Sequence, residues 1–141
     1  MLGPHALGQP SPARRNRPLV LLVEDSLDQL DLYALVLEDD FQVLKASRGE
    51  TGYALACAER PDVIVLDLLL PDVDGFEVCR RLRSNRATAA IPVIFFSADE
   101  PSVFKAMASP ECAAVFAILQ KPVSPDRLLA TIHDAVKESR M

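Results

Sequence analysis

The chain has 141 residues, half of them hydrophobic and a quarter charged, with a formal net charge of −5 at pH 7. That length suits one domain with a real core better than two, and the acidic balance argues against general nucleic-acid binding. Apolar runs as short as Leu19 to Val23 and Val63 to Leu66 are excluded as bilayer spans.

In chain order, residues 1–17 are rich in Gly, Pro and Arg without periodicity and read as a flexible tail. They lack the apolar stretch of a secretory signal, so a cytoplasmic location is expected. Residues 18–141 form the folded domain, with no output domain expected after Met141. The apolar run Leu19 to Val23 predicts a first strand, and Ser26 with Gln29 predicts the capped start of a helix. Gln42 to Ala46 is a more polar strand that belongs at a sheet edge. Ser47 with Glu50 marks the next helix start, Val63 to Asp67 a third and fully apolar strand, and Asp74 with Glu77 a third helix start. That helix carries Arg80 and Arg81 and leads to Arg83 and Arg86, most simply a solvated helix end. Pro92 to Ser97 predicts the fourth strand, and Pro101 and Pro110 confine the following helix to the span from Ser102 to Ala108. A fifth strand is predicted at Ala114 to Leu119. The last helix starts at Ser124 with Pro125 in its first position and shows an apolar stripe of Leu128, Leu129, Ile132 and Val136. Five strand-helix repeats predict an α/β fold, a five-stranded parallel sheet with helices on both faces.

Ligands of an open parallel sheet gather at the carboxyl ends of its strands. The first strand ends in Glu24 and Asp25, the third in Asp67, the fourth in Ser97, and the fifth leads through Gln120 into Lys121 and Pro122. Crowded carboxylates repel, and a hard divalent cation with oxygen ligands relieves that repulsion, which points to Mg2+. Such a metal neutralises an incoming phosphoryl donor while an aspartate oxygen attacks phosphorus and a lysine clamps another oxygen, giving an acyl phosphate.

From Leu19 onward the chain resembles the receiver domains of two-component response regulators. The resemblance rests on Val23-Glu24-Asp25, on Asp67-Leu68-Leu69-Leu70-Pro71-Asp72-Val73-Asp74-Gly75, on Ser97-Ala98 and on Lys121-Pro122. It implies a flavodoxin-like, doubly wound (β/α)5 sheet, of the stand-alone receiver type. Asp67 would be the phosphoacceptor, Asp25 a direct Mg2+ ligand, Glu24 a ligand mainly through water, and the Leu69 backbone carbonyl a further ligand. Ser97 would be the switch hydroxyl, and Lys121 would pair with the phosphoryl group or, before phosphorylation, with Asp67, ahead of a cis bond to Pro122. The implied partners are a histidine kinase or histidine phosphotransfer protein and a downstream protein, with a phosphorylation-linked homodimer as a further state and no direct DNA or membrane contact. A signalling switch is expected, not an enzyme beyond its own phosphoryl chemistry.

Two positions and the span from Ser97 to Lys121, slightly longer than usual, depart from the family pattern, and one further residue bears on the site. Ile118 stands where receivers carry a switch Tyr or Phe, Ser109-Pro110-Glu111-Cys112 replaces a glycine-containing turn, and Leu69 puts an apolar side chain beside the phosphorylation site. The Ile118 departure keeps a phosphate-independent docking module as an alternative. A metal-dependent phosphatase is disfavoured, because Leu69 occupies the place of its second acid. Asp72 and Asp74 read as turn and cap residues, and Gly75 as a backbone requirement. Phe95 and Phe96 read as core, His5 and His133 receive no role, and Cys57, Cys79 and Cys112 read as reduced thiols.

Overall fold

The structure, a computed structural model, describes residues 17–109 and 115–140. The expected tail lies outside these residues except for Arg17, which donates from Nη1 to the Glu38 carbonyl at 2.9 Å and accepts from Gln42 Nε2 at 2.9 Å. The turn expected at Ser109 to Cys112 lies outside them beyond Ser109.

Strands β1 (Leu19–Val23), β2 (Gln42–Ala46), β3 (Val63–Asp67), β4 (Val93–Ser97) and β5 (Ala117–Gln120) alternate with helices α1 (Leu27–Leu37), α2 (Gly49–Glu59), α3 (Gly75–Ser84), α4 (Glu100–Ala108) and α5 (Pro125–Ser139). All strand pairs are parallel, in the order β2-β1-β3-β4-β5, so β2 is an edge strand as its polar residues predict. Successive side chains of a strand face opposite sides. Val20, Leu22, Val63, Val65, Ile94 and Phe96 therefore pack with Leu30, Leu37, Leu128 and Ile132 of α1 and α5. Leu21, Val23, Ile64, Leu66, Val93 and Phe95 face Ala56, Val78, Cys79, Leu82 and Ala106 of α2, α3 and α4. Two cores flank one sheet, which is the doubly wound arrangement.

Local caps explain four helix starts. Ser26 accepts from the Gln29 N–H, Asp74 from the Phe76 N–H, Asp99 from the Ser102 N–H and Ser124 from the Arg127 N–H. Helix α2 differs from the expectation. Ser47 does not cap it; Arg48 holds the cap position without a side-chain bond, and Asp72, from the β3–α3 loop, accepts from the Gly49 and Glu50 N–H groups instead. Helix α4 starts before Ser102, at Glu100, because Pro101 falls in the first turn, where its missing N–H would have no helical partner anyway. Strand β5 begins at Ala117 and includes Gln120, which pairs in register with Ser97. Among the described residues, Cys57 and Cys79 are free thiols, and no helix is long and apolar enough to cross a membrane. His133 pairs with Asp40 at 2.8 Å and stacks near the Phe41 ring, a link between α5 and the turn after α1.

Candidate functional site

The register brings the ends of β1, β3 and β4 level, with Val23 opposite Leu66 and Asp67 opposite Phe96. The side chains that follow them converge in a cavity of about 250 Å³ lined by Glu24, Asp25, Gln29, Asp67, Ser97 and Lys121 among others. A larger cleft of about 590 Å³ lies at the opposite end of the sheet, beside Pro92, Phe116 and Glu138. Among the described residues it gathers no comparable set of acids, so chemistry rather than size locates the site.

Lys121 is the centre of the network. Its Nζ donates to Glu24 Oε1, to Gln29 Oε1 at 2.9 Å and to Asp67 Oδ2 at 3.1 Å, so residues from α1 and from the ends of β1, β3 and β5 meet at one ammonium. The same ammonium lies 4.4 Å from the Phe96 ring centroid and 5.9 Å from that of Tyr33. Glu24 is 1% exposed and Asp67 5%, so each carboxylate needs its partners. Glu24 Oε2 accepts from the Ser26 N–H at 3.1 Å, and Asp67 Oδ1 accepts from the Leu69 N–H at 3.0 Å. Burial alone would lower the Lys121 pKa, but the hydrogen bond to Glu24 and the charges of Asp67 and Glu24 outweigh it and hold the ammonium above its ordinary value.

One ammonium does not balance three acids. Ligating oxygens of Glu24, Asp25 and Asp67 all lie within 4.8 Å of one another. Burial raises the Asp25 carboxyl pKa, as do its hydrogen bond to Glu24 and the charge of that neighbour. Hard oxygen donors with excess negative charge fit a small divalent cation such as Mg2+ better than a softer metal.

Ser97 is buried beside this cluster, its Oγ accepting from the Asp99 N–H at 3.1 Å and its carbonyl from the Lys121 N–H at 2.9 Å. The Lys121-Pro122 peptide bond is cis. Leu69 lines the cavity with its side chain exposed, whereas Ile118 sits away from it, half-buried against the core under α2, α3 and α4. Gly75 is required by space rather than by dihedral angle. A Cβ there would lie 2.5 Å from the Asp67 carbonyl oxygen and 2.8 Å from Leu68 Cα.

Glu24, Asp25, Asp67, Leu69, Ser97 and Lys121 thus line one pocket, and three contributors are added. Gln29, expected to reciprocate a capping box, turns its amide to Lys121. Phe96, expected only as core, also faces that ammonium, and Tyr33 joins it. A polar residue one helical turn after the acidic pair was the available signal for Gln29.

Comparison with known proteins bears on the family and the fold. Residues 20–133 match the family described as response regulator receiver domain. The chain is 36% identical over 115 residues to protein PilH of Pseudomonas aeruginosa, covering 81% of this chain and 93% of that one. It is 33% identical to the transcriptional regulatory protein GltR of the same organism, over 86% of this chain but 50% of GltR. A sensor protein from Polaromonas sp. JS666 superposes with a TM-score of 0.79 at 27% identity, covering 87% of this chain and 98% of that structure.

Proposed function

We propose that this chain, which belongs to the response regulator receiver domain family, is a switch that accepts a phosphoryl group on Asp67 with Mg2+ bound beside it. One observation carries the reading: Lys121 bridges Glu24 and Asp67 within a group of three acids whose ligating oxygens lie within 4.8 Å. Asp25, Asp67 and the Leu69 carbonyl would hold the metal directly. Glu24 would act mainly through water, which suits a carboxylate whose two oxygens already accept from Lys121 and the Ser26 N–H. When bound, Mg2+ supplies charge neutralisation between the carboxylates and the phosphoryl oxygens.

The donor is a phosphohistidine on a histidine kinase or histidine phosphotransfer protein. An Asp67 carboxylate oxygen attacks phosphorus, the P–N bond breaks with its electron pair passing to the imidazole, and the new P–O bond makes the acyl phosphate. Lys121, 3.1 Å from Asp67 Oδ2, transfers its hydrogen bond to a phosphoryl oxygen. Ser97, whose Oγ accepts from the Asp99 N–H at 3.1 Å, then donates its own hydroxyl proton in a hydrogen bond to a phosphoryl oxygen. The altered surface changes affinity for a downstream protein or a second copy of the chain. The setting of this exchange is the cytoplasm.

Incubation with a small-molecule phosphodonor, followed by intact mass, tests the reading. A single phosphoryl adduct is expected that requires Mg2+ and vanishes in Asp67→Asn. Metal uptake without an adduct would favour the phosphate-independent docking module, for which Ile118 is the supporting residue.

A further inference from the structure

We propose that Asp72 is a positioning residue for the metal site: its carboxylate ties the β3–α3 loop to the amino end of α2 and thereby steadies the Leu69 carbonyl. The inference rests on the proposed function, which makes that carbonyl a Mg2+ ligand.

The loop runs from Asp67 to Gly75 and is fixed at both ends. The Leu69 N–H donates to Asp67 Oδ1 at 3.0 Å, and the Gly75 N–H to the Leu68 carbonyl at 3.1 Å. At the far end, Asp74 caps α3. The middle is held across space. Asp72 Oδ1 accepts from the Gly49 N–H at 2.8 Å and Oδ2 from the Glu50 N–H at 2.9 Å, with Arg48 Nε at 3.9 Å. Those donors have no partner within their own helix, and the positive end of α2 favours a carboxylate there. The hydrogen bonds from Glu50 and Gly49 hold the Asp72 carboxyl below its ordinary pKa, so it is charged at neutral pH. Packing adds to the tie, since a Cβ on Gly49 would fall 2.2 Å from Val73 Cγ1.

The connection closes a ring. Glu50 Oε1 pairs with Arg81 Nη1 at 2.7 Å, Arg81 Nε with Glu77 Oε2 at 3.0 Å, and both Arg81 and Glu77 stand on α3, whose cap Asp74 belongs to the same loop. Loop, α2 and α3 constrain one another, and removal of the Asp72 carboxylate opens the ring beside Leu69. Partners of a ligating group tune affinity without touching the metal.

The test titrates Mg2+ into the intact chain and follows amide resonances. Asp72→Ala should weaken Mg2+ binding about 10-fold, and Asp72→Asn, which keeps one acceptor, by less. Thr88→Val is the control for general destabilisation, because that hydroxyl donates to the Leu82 carbonyl at 2.7 Å at the other end of α3. Its Mg2+ affinity should stay unchanged. Coupling is reciprocal, so Mg2+ should slow hydrogen exchange at Gly49 and Glu50 in the wild type. Wild-type affinity in folded Asp72→Ala, or exchange at Gly49 and Glu50 indifferent to Mg2+, would overturn the inference alone. A wild-type chain that binds no Mg2+ would overturn the proposed function, and the inference with it.

Discussion

Two neighbouring regions at the carboxyl edge of the sheet are built differently. In the pocket, Lys121 is anchored by Glu24, Gln29 and Asp67, which lie far away in sequence, and its side chain is 8% exposed. On the flank formed by α4 and the end of β5, the polar contacts are shorter in range or lie in solvent. Asp99 caps its own helix through Ser102, and Gln120 reaches Glu100 through an exposed bond of 3.2 Å. Phe104 and Met107 of α4 are each 67% exposed. The pocket is thus tied together across the chain by buried polar contacts, whereas the polar contacts of the flank are local or exposed.

If the pocket is the more tightly determined region, its substitutions should cost most. Lys121→Ala should have the largest effect, because it leaves the buried carboxylates of Glu24 and Asp67 without their cation. A loss of roughly 3–5 kcal/mol is expected in urea denaturation, recovered in part by millimolar Mg2+ where the ion takes the proposed site of the folded form. A loss near zero would mean that water already serves these acids as well as lysine does. Gly75→Ala comes next. Its methyl would push against the Asp67 carbonyl oxygen, and the required shift should cost about 1–3 kcal/mol, readable from the same denaturation midpoint.

The contrast between regions also separates what was legible in the sequence from what was not. Continuous apolar runs marked most strands of the covered sheet, and Glu24, Asp25, Asp67, Ser97 and Lys121 were visible because each ends such a run or lies within two residues of its end. Caps within three residues of their helix, such as Ser26, Asp74 and Ser124, were visible for the same reason of locality. Asp72 was not recognised as the cap of α2, since its partners lie 22 and 23 residues away, nor was the Gln29 contact with Lys121, 92 residues apart. Ser47 fits the local pattern equally well, and nothing in the spacing says that a loop carboxylate takes its place. The start of β5 was misplaced because the run Ala113 to Leu119 is apolar throughout, so hydrophobicity does not mark where the ladder begins.

The flank should tolerate change. Ile118→Tyr restores an aromatic ring at a half-buried position and should alter stability by less than about 1 kcal/mol. A loss as large as that of Gly75→Ala would show that the flank is packed as tightly as the pocket, and the comparison would fail.

The smallest effect concerns the loop between these regions and appears only in acid. Asp72 has its carboxyl pKa lowered from 3.8 by the Glu50 and Gly49 N–H groups. A carboxyl depressed by folding contributes stability that is fully present above its unfolded pKa and is lost as pH falls through the folded value. The wild type should therefore be more stable than Asp72→Asn at pH 7, with the gap constant down to about pH 5 and closing below 3.8 as Asp72 gains its proton. Glu77, held down to about 2 by hydrogen bonds to Arg80 and Arg81, drives acid sensitivity in the same direction but is present in both proteins, so it cancels from the difference. Urea midpoints of the two proteins at pH 7, 5 and 3 isolate the Asp72 contribution. A gap that persists unchanged at the lowest pH would mean that the shape of the side chain, not its charge, ties the loop to α2.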